Sequence, residues 1–390
     1  MGRRPVQAFG PPFNTVWGLK ITNSNSMPDI ETLRHWSYNR QLLGKQGSKP
    51  LQVLKDVIAV YSWHPSGPLS LHARLKNFSQ SDFNNLETDK SVLRMPAMRL
   101  SVHMLPRETA AQIFAATVPH ASDPIWERRY SQPGRKIPTE KYNDWRALIL
   151  KTATKPLTVA EIKEQTDIPE ELVKFLLNRM GFEGDILRVG ADNIRSNIVR
   201  YVATKHWAKE TMKRPDSETA LSWLAAEYLR AFGPARVKDF QWWAGITATK
   251  AKAAIATNET VDIGEKYLLL KKDVKAFEGF KAINADTIDL LPQWDNYIMG
   301  YAPDGRERFV SPDMQSNIYG ALGATTGNGL GTVLINGLAQ GAWNAKFSGG
   351  KMTVTLNMFE KATAKASKEI NKRFDDIAAF MQAKNISFQK

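Results

Sequence analysis

Between Met98 and Met104 apolar and polar residues alternate singly: Met98, Leu100, Val102 and Met104 against Arg99, Ser101 and His103. Successive side chains of a strand point to opposite faces. The alternation therefore predicts a strand within Leu93–Leu105 with one apolar face and one basic, hydrogen-bonding face. It slips by one residue near Pro96, as a bulge or bend makes it do. Elsewhere helical spacing dominates. Ile30, Leu33, Trp36 and Leu43 stripe a helix over 29–43 with Asp29 as N-cap, and Leu51, Leu54, Val57 and Ile58 stripe a second from Pro50. Two prolines and a glycine in 61–68 forbid helix there, and helix resumes over 69–75. A helix over 107–116 follows the strand. Residues 117–138, with four prolines and Arg128, Arg129, Arg135 and Lys136, read as a basic linker.

The next stretch is more explicit. A helix over 142–152 precedes Thr158-Val159-Ala160-Glu161, a capping box. Asp167, Pro169 and Glu170 open another helix with Leu172, Phe175, Leu176 and Met180 on its core side, ended by Gly181. Two strand-like segments, 186–189 and 194–202, follow. Helix, helix, helix, hairpin is the winged-helix order. A third unit repeats it: a helix to Phe232 capped by Asp216 or Ser217, helices over 237–243 and from Thr247, then Tyr267–Leu270. Lys174, Asn178 and Arg179, and Thr249, Lys250 and Lys252, fall on the second and third units' candidate recognition helices. From about Leu290 strands and turns take over: 293–301, a hairpin at 303–306, 307–310, 332–335, 341–346 and 351–356, closed by a helix over 361–383. The expected architecture is α+β. It comprises an extension (1–28, read as disordered), winged-helix units at 29–135, 136–212 and 213–287, and a small antiparallel β unit with a terminal helix at 288–390.

Charge narrows the partner. The chain carries 53 Lys+Arg against 39 Asp+Glu, a net +14. Residues 1–150 hold 20 of those bases and 11 of those acids, with five of the six histidines. Such a surplus attracts polyanions, nucleic acid before anionic membrane. With no cysteine, disulfides, thiolate nucleophiles and cysteine zinc sites are excluded. No apolar run is long enough to span a bilayer. Neither 44–49 nor 327–332 has the spacing of a phosphate loop, and no nucleophile-elbow serine or paired-histidine zinc helix occurs. Trp242-Trp243 reads as core, whereas Trp63, in an interrupted loop, suits stacking on a base.

Four blocks, in order, resemble the winged-helix family that includes the YcaQ- and AlkZ-type DNA glycosylases. They are MRLSVHMLP at 98–106, FGPARVKDFQWWAGI at 232–246, LLPQWDNYIMGY at 290–301 and INGLAQGAW at 335–343. Arg99 and His103 stand at that family's Arg and His. The resemblance implies tandem winged helices forming a basic channel, and excision of alkylated or crosslinked bases by hydrolysis of the N-glycosidic bond. The family's water-positioning Gln pair falls by position on Tyr61-Ser62-Trp63. Tryptophan can only donate a hydrogen bond and cannot act as a base.

The site expected from this reading is Tyr61, Trp63 and His103 for chemistry, and Arg74, Arg99, Ser101, Arg306 and Arg308 for DNA. No metal or cofactor is expected. The partner expected is double-stranded DNA, damaged or intact, bound by an intracellular monomer with no membrane attachment. Two other readings stay open: a non-catalytic DNA binder, and a protein-interaction scaffold.

Overall fold

In the computed structural model, which describes residues 28–63, 65–130, 137–190, 193–196, 198–208, 213–281, 287–320 and 328–389, helices are interleaved with three β-sheets. The architecture is α+β. The expected extension at 1–28 lies, except for Pro28, outside the described residues.

The strand expected within Leu93–Leu105 is a hairpin. After β1 (Val60–Tyr61), β2 (Val92–Pro96) and β3 (Val102–Pro106) pair antiparallel, with Val92 opposite Pro106 and Pro96 opposite Val102. Arg99 and Leu100 make the turn with left-handed φ angles of 55° and 58°. The Leu100 amide donates to the Ala97 carbonyl at 2.9 Å and the Ser101 amide to Met98 at 3.1 Å. Such turns normally advertise themselves with Gly or Asn. Here neither occurs, and the turn hides inside an apolar–polar alternation.

The prolines at 61–68 do not exclude helix as expected. Ser66–His72 is helical with Pro68 in its first turn, where a backbone N–H has no intrahelical partner to lose. The basic linker expected at 117–138 contains a helix, Pro124–Tyr130. It is pinned by Trp126, buried 4.9 Å from the Phe182 ring. Residues 131–136 lie outside the described set.

Helices Thr139–Thr152, Val159–Thr166 and Glu170–Glu183 precede β4 (Ile186–Val189) and β5 (Arg200–Ala203). The capping box is present: Thr158 Oγ1 accepts from the Glu161 amide, and Glu161 accepts from Thr158. The last helix outruns Gly181 and stops at Gly184, whose φ of +84° suits glycine. β4 pairs with β2, Arg188 opposite Arg94, giving the strand order β1-β3-β2-β4-β5. One sheet thus crosses the boundary expected at 135/136.

Helices Ser217–Phe232, Val237–Ala244 and Ala248–Ala256 lead into the ribbon of β6 (Thr260–Asp262) and β7 (Leu268–Leu270). The last sheet holds β8 (Ile288–Leu291), β9 (Gly331–Ile335), β10 (Leu338–Ser348), β11 (Lys351–Met358) and β12 (Asn385–Gln389). It is antiparallel, as expected, except for β12, which lies parallel to β11. The strand expected at 293–301 contains a short helix, Asn296–Met299, capped by Asp295. The hairpin and strand expected at 303–310 are a 3₁₀ turn, Pro303–Arg308, because Pro303 presets its first residue. The Ala364–Phe380 helix packs on this sheet.

Chain ends and middle share a core. One apolar cluster runs from Tyr38 through Tyr228, Phe232 and Phe240 to Ala342. The first helix (Ile30–Arg40) is tied to the C-terminal part: Arg34 Nε donates to the Arg308 carbonyl at 2.7 Å, and the Tyr38 hydroxyl to Asp289.

Candidate active site

The hairpin turn meets two distant segments. Gly245, ending the Val237–Ala244 helix with φ +75°, lies against Arg99; a Cβ there would stand 2.8 Å from the Arg99 Cα. The other segment is Trp294-Asp295-Asn296. Between them lies a cavity of about 160 Å³, where Tyr61, Arg99, Ser101 and His103 converge with Trp243, Trp294 and Asn296, and with Met98 and Met299. Four of the eight site residues expected from sequence are therefore brought together.

Tyr61 and His103 are partners across the β1–β3 ladder. His103 Nδ1 lies 3.0 Å from the Ser101 carbonyl. A carbonyl only accepts, so hydrogen-bond logic assigns the proton to Nδ1 and leaves the lone pair on Nε2. Burial pushes the imidazole down to about 4; the Arg99 cation adds to this, against the opposing pull of the Ser101 carbonyl. At neutral pH His103 is uncharged. Burial raises Tyr61, which keeps its phenol proton, with Arg188 pulling the other way. Arg99 is exposed, and its guanidinium lies 4.2 Å from the Trp242 ring centroid.

Trp294 is held at φ +61°, a strained conformation for a bulky residue. Its amide donates to the Gly329 carbonyl at 3.0 Å and its indole N–H to Asn328 Oδ1 at 3.1 Å. Its ring centroid stands 5.0 Å from that of Tyr61. Sequence reading passed over Trp294 and Asn296 because a strand was expected there. It took Trp242-Trp243 for core alone, whereas Trp243 also walls the cavity and Trp242 carries Arg99.

The other expected residues lie elsewhere. Trp63 is 51% exposed and edges a neighbouring cleft of about 140 Å³ with Tyr61, Arg188 and Ile198, so it does not share the cavity of His103. Arg74 is 0% exposed. Its Nη1 and Nη2 donate to the two Asp295 carboxylate oxygens at 2.7 and 2.8 Å, and its Nε to the Gln41 carbonyl. Arg308 is equally enclosed, donating to Ser37 Oγ and the Pro234 carbonyl. Arg306 is buried 3.7 Å from the Tyr319 ring centroid. The phosphate contacts expected of these three arginines are not available to them, because each is enclosed in the interior and held by protein partners. On the candidate recognition helices, Lys174 and Arg179 pair with Glu170 and Glu183 of their own helix, while Thr249, Lys250 and Lys252 are exposed.

Among the described residues no helix is long and apolar enough to cross a membrane. No curated protein matches the sequence significantly. The fold is similar to the solved structure of Streptomyces sahachiroi DNA glycosylase AlkZ, with a TM-score of 0.71 and 18% identity. The match covers 93% of this chain and 100% of that one. Residues 62–380 match the family described as DNA glycosylase AlkZ-like, and the chain belongs to that family.

Proposed function

We propose that this protein binds double-stranded DNA and excises a ring-alkylated or alkyl-crosslinked base by hydrolysing the N-glycosidic bond, inside the cell and as a monomer. The observation that carries the reading is the cavity joining Tyr61, His103 and Arg99. Its described lining holds no carboxylate and no protonated imidazole. Nothing there protonates a departing base strongly. A base alkylated on its ring is already cationic and leaves without that help; an ordinary base is not. This contrast supports a ring-alkylated base as the substrate class. Asn296, His103 and Tyr61 offer acceptors for water, while Tyr61 and Trp294 offer faces for a base turned out of the duplex.

Three tandem winged-helix units form the scaffold in this reading. Its support is the recurrence of helices followed by a hairpin: Pro50–Asp56, Ser66–His72 and Gln80–Thr88 before β2–β3, and the sets before β4–β5 and β6–β7. Arg99, Arg188, Lys250 and Lys252 supply charge for phosphate. Trp63 and Ile198, both exposed beside Arg188, supply an apolar edge to fill the space a displaced base leaves.

The test is cleavage of an end-labelled duplex carrying N7-methylguanine, developed with mild base after incubation. Abasic sites formed by the native protein and lost in His103→Ala support the reading. The second reading, a binder without chemistry, draws on Trp63 standing where the family has a water-positioning glutamine. Salt-sensitive binding with no excision of any alkylated substrate establishes that one instead.

A further inference from the structure

We propose that Asn296 holds the attacking water of this cavity through its side-chain oxygen. The inference rests on the excision reading above and deepens it.

The backbone around Asn296 is fixed. Asp295 is locked by both guanidinium nitrogens of Arg74, by Ser70 Oγ at 2.7 Å, and by its own acceptance of the Tyr297 amide. Asn296 itself is 7% exposed. Its Nδ2 donates to the Val57 carbonyl at 3.0 Å and to the Ala59 carbonyl, both in the segment leading into β1. Both amide hydrogens are thereby used. A flipped amide would set Oδ1 against two carbonyl oxygens, so the assignment of oxygen and nitrogen is unambiguous. Oδ1 accepts no hydrogen bond from the described residues, and Asn296 forms part of the cavity wall. An acceptor left open in the wall of such a cavity is a place for water.

Chemistry favours a nucleophilic water over a bystander. A water has two hydrogens, and the wall offers two neutral acceptors of fixed orientation: Asn296 Oδ1 and the Nε2 lone pair of His103. Holding both hydrogens leaves the oxygen lone pairs facing the cavity. At about 30 Å³ per water, a cavity of about 160 Å³ keeps room for one beside a reacting sugar carbon. In the step, the bond from C1′ to the base nitrogen breaks and its electron pair neutralises the cationic ring. The water oxygen bonds to C1′, and its proton leaves through His103 Nε2 to solvent. The products are an abasic hemiacetal, a neutral alkylated base and one proton.

Asn296→Ala and Asn296→Asp are compared with the native protein in single-turnover excision from the N7-methylguanine duplex, with affinity for the same duplex and thermal melting measured alongside. For Asn296→Ala the expected result is a rate about 100-fold lower with affinity within about twofold of native. Asn296→Asp sets a carboxylate oxygen against the Val57 and Ala59 carbonyls, so the expected result is a lower melting temperature and no recovery of the rate. An Asn296→Ala rate equal to native, or a rate loss matched by lost melting or lost DNA affinity, overturns the proposal and makes Asn296 a scaffold residue while excision stands. A native protein that excises nothing removes the excision reading and this role together.

Discussion

Tyr61 and His103 stand opposite each other in the β1–β3 ladder, their ring centroids 5.8 Å apart and their planes at 81°. A phenol that keeps its proton thus faces an imidazole that is uncharged at neutral pH. In the excision reading His103→Ala lowers single-turnover excision by about 100-fold or more, the range for a lost general base. Tyr61→Phe, which keeps the ring against Trp294 and loses only the hydroxyl, costs less. Equal rates for all three proteins count against a catalytic role for this pair.

Two arginines expected to do the same work separate cleanly. Arg74→Ala leaves Asp295 as an uncompensated buried charge and destabilises the fold by about 3–5 kcal/mol. Chemical denaturation reads this loss. Arg99→Ala leaves the unfolding midpoint near native. It weakens DNA binding and reduces the salt slope of log K by about one counterion, if Arg99 meets a phosphate.

Two histidines, His103 buried and His72 partly buried, give stability a pH dependence of known sign. Burial pushes both His103 and His72 down to about 4 from an ordinary 6.5, the Lys45 charge adding to the effect at His72. Between those values the unfolded chain binds protons that the folded chain does not. The contribution is fully present above about pH 6.5 and is lost as pH falls through 4, on the order of 3 kcal/mol from each. Urea unfolding at pH 7.5, 5.5 and 4 follows it, and His72→Gln flattens the curve without touching the cavity. The excision rate of active protein stays level down to about pH 5.5 and drops near pH 4, where His103 charges.

Gly245→Ala tests the seam between the hairpin and the Val237–Ala244 helix. A methyl group there meets Arg99 backbone at 2.8 Å, and φ is +75°. The expected cost is about 1–3 kcal/mol. Because Arg99 must move to admit the methyl, DNA affinity falls as well. Loss of stability with unchanged affinity shows that Arg99 does not contact DNA.

How much of this was legible in the sequence depended on whether the signal was local. Caps were: Asp29, Thr158 with Glu161, and Asp216 all accept amides at the helix starts they foretold. The Arg99, Ser101 and His103 grouping was legible too, although for the wrong reason. A strand face predicted it, and a left-handed turn followed by the first residues of β3 delivers it. Arginine side chains were read as surface charge because their type is mostly exposed. Nothing near Arg74 or Arg308 in sequence says that Asp295, Ser37 and Pro234 will enclose them. Trp294 and Asn296 escaped for the same cause, since their roles rest on Tyr61, Val57 and Ala59, more than two hundred residues earlier.

The Arg74–Asp295 pair bridges 221 residues. During synthesis Arg74 emerges long before its counter-ion, and until Asp295 arrives the N-terminal segment lacks the carboxylate against which this guanidinium is buried. The cavity has the same schedule, because Tyr61 and His103 come early and Trp294 and Asn296 late. A chain cut short before that segment carries basic surface without a finished pocket. The closing of the interior is thus coupled to the arrival of the last wall of the cavity.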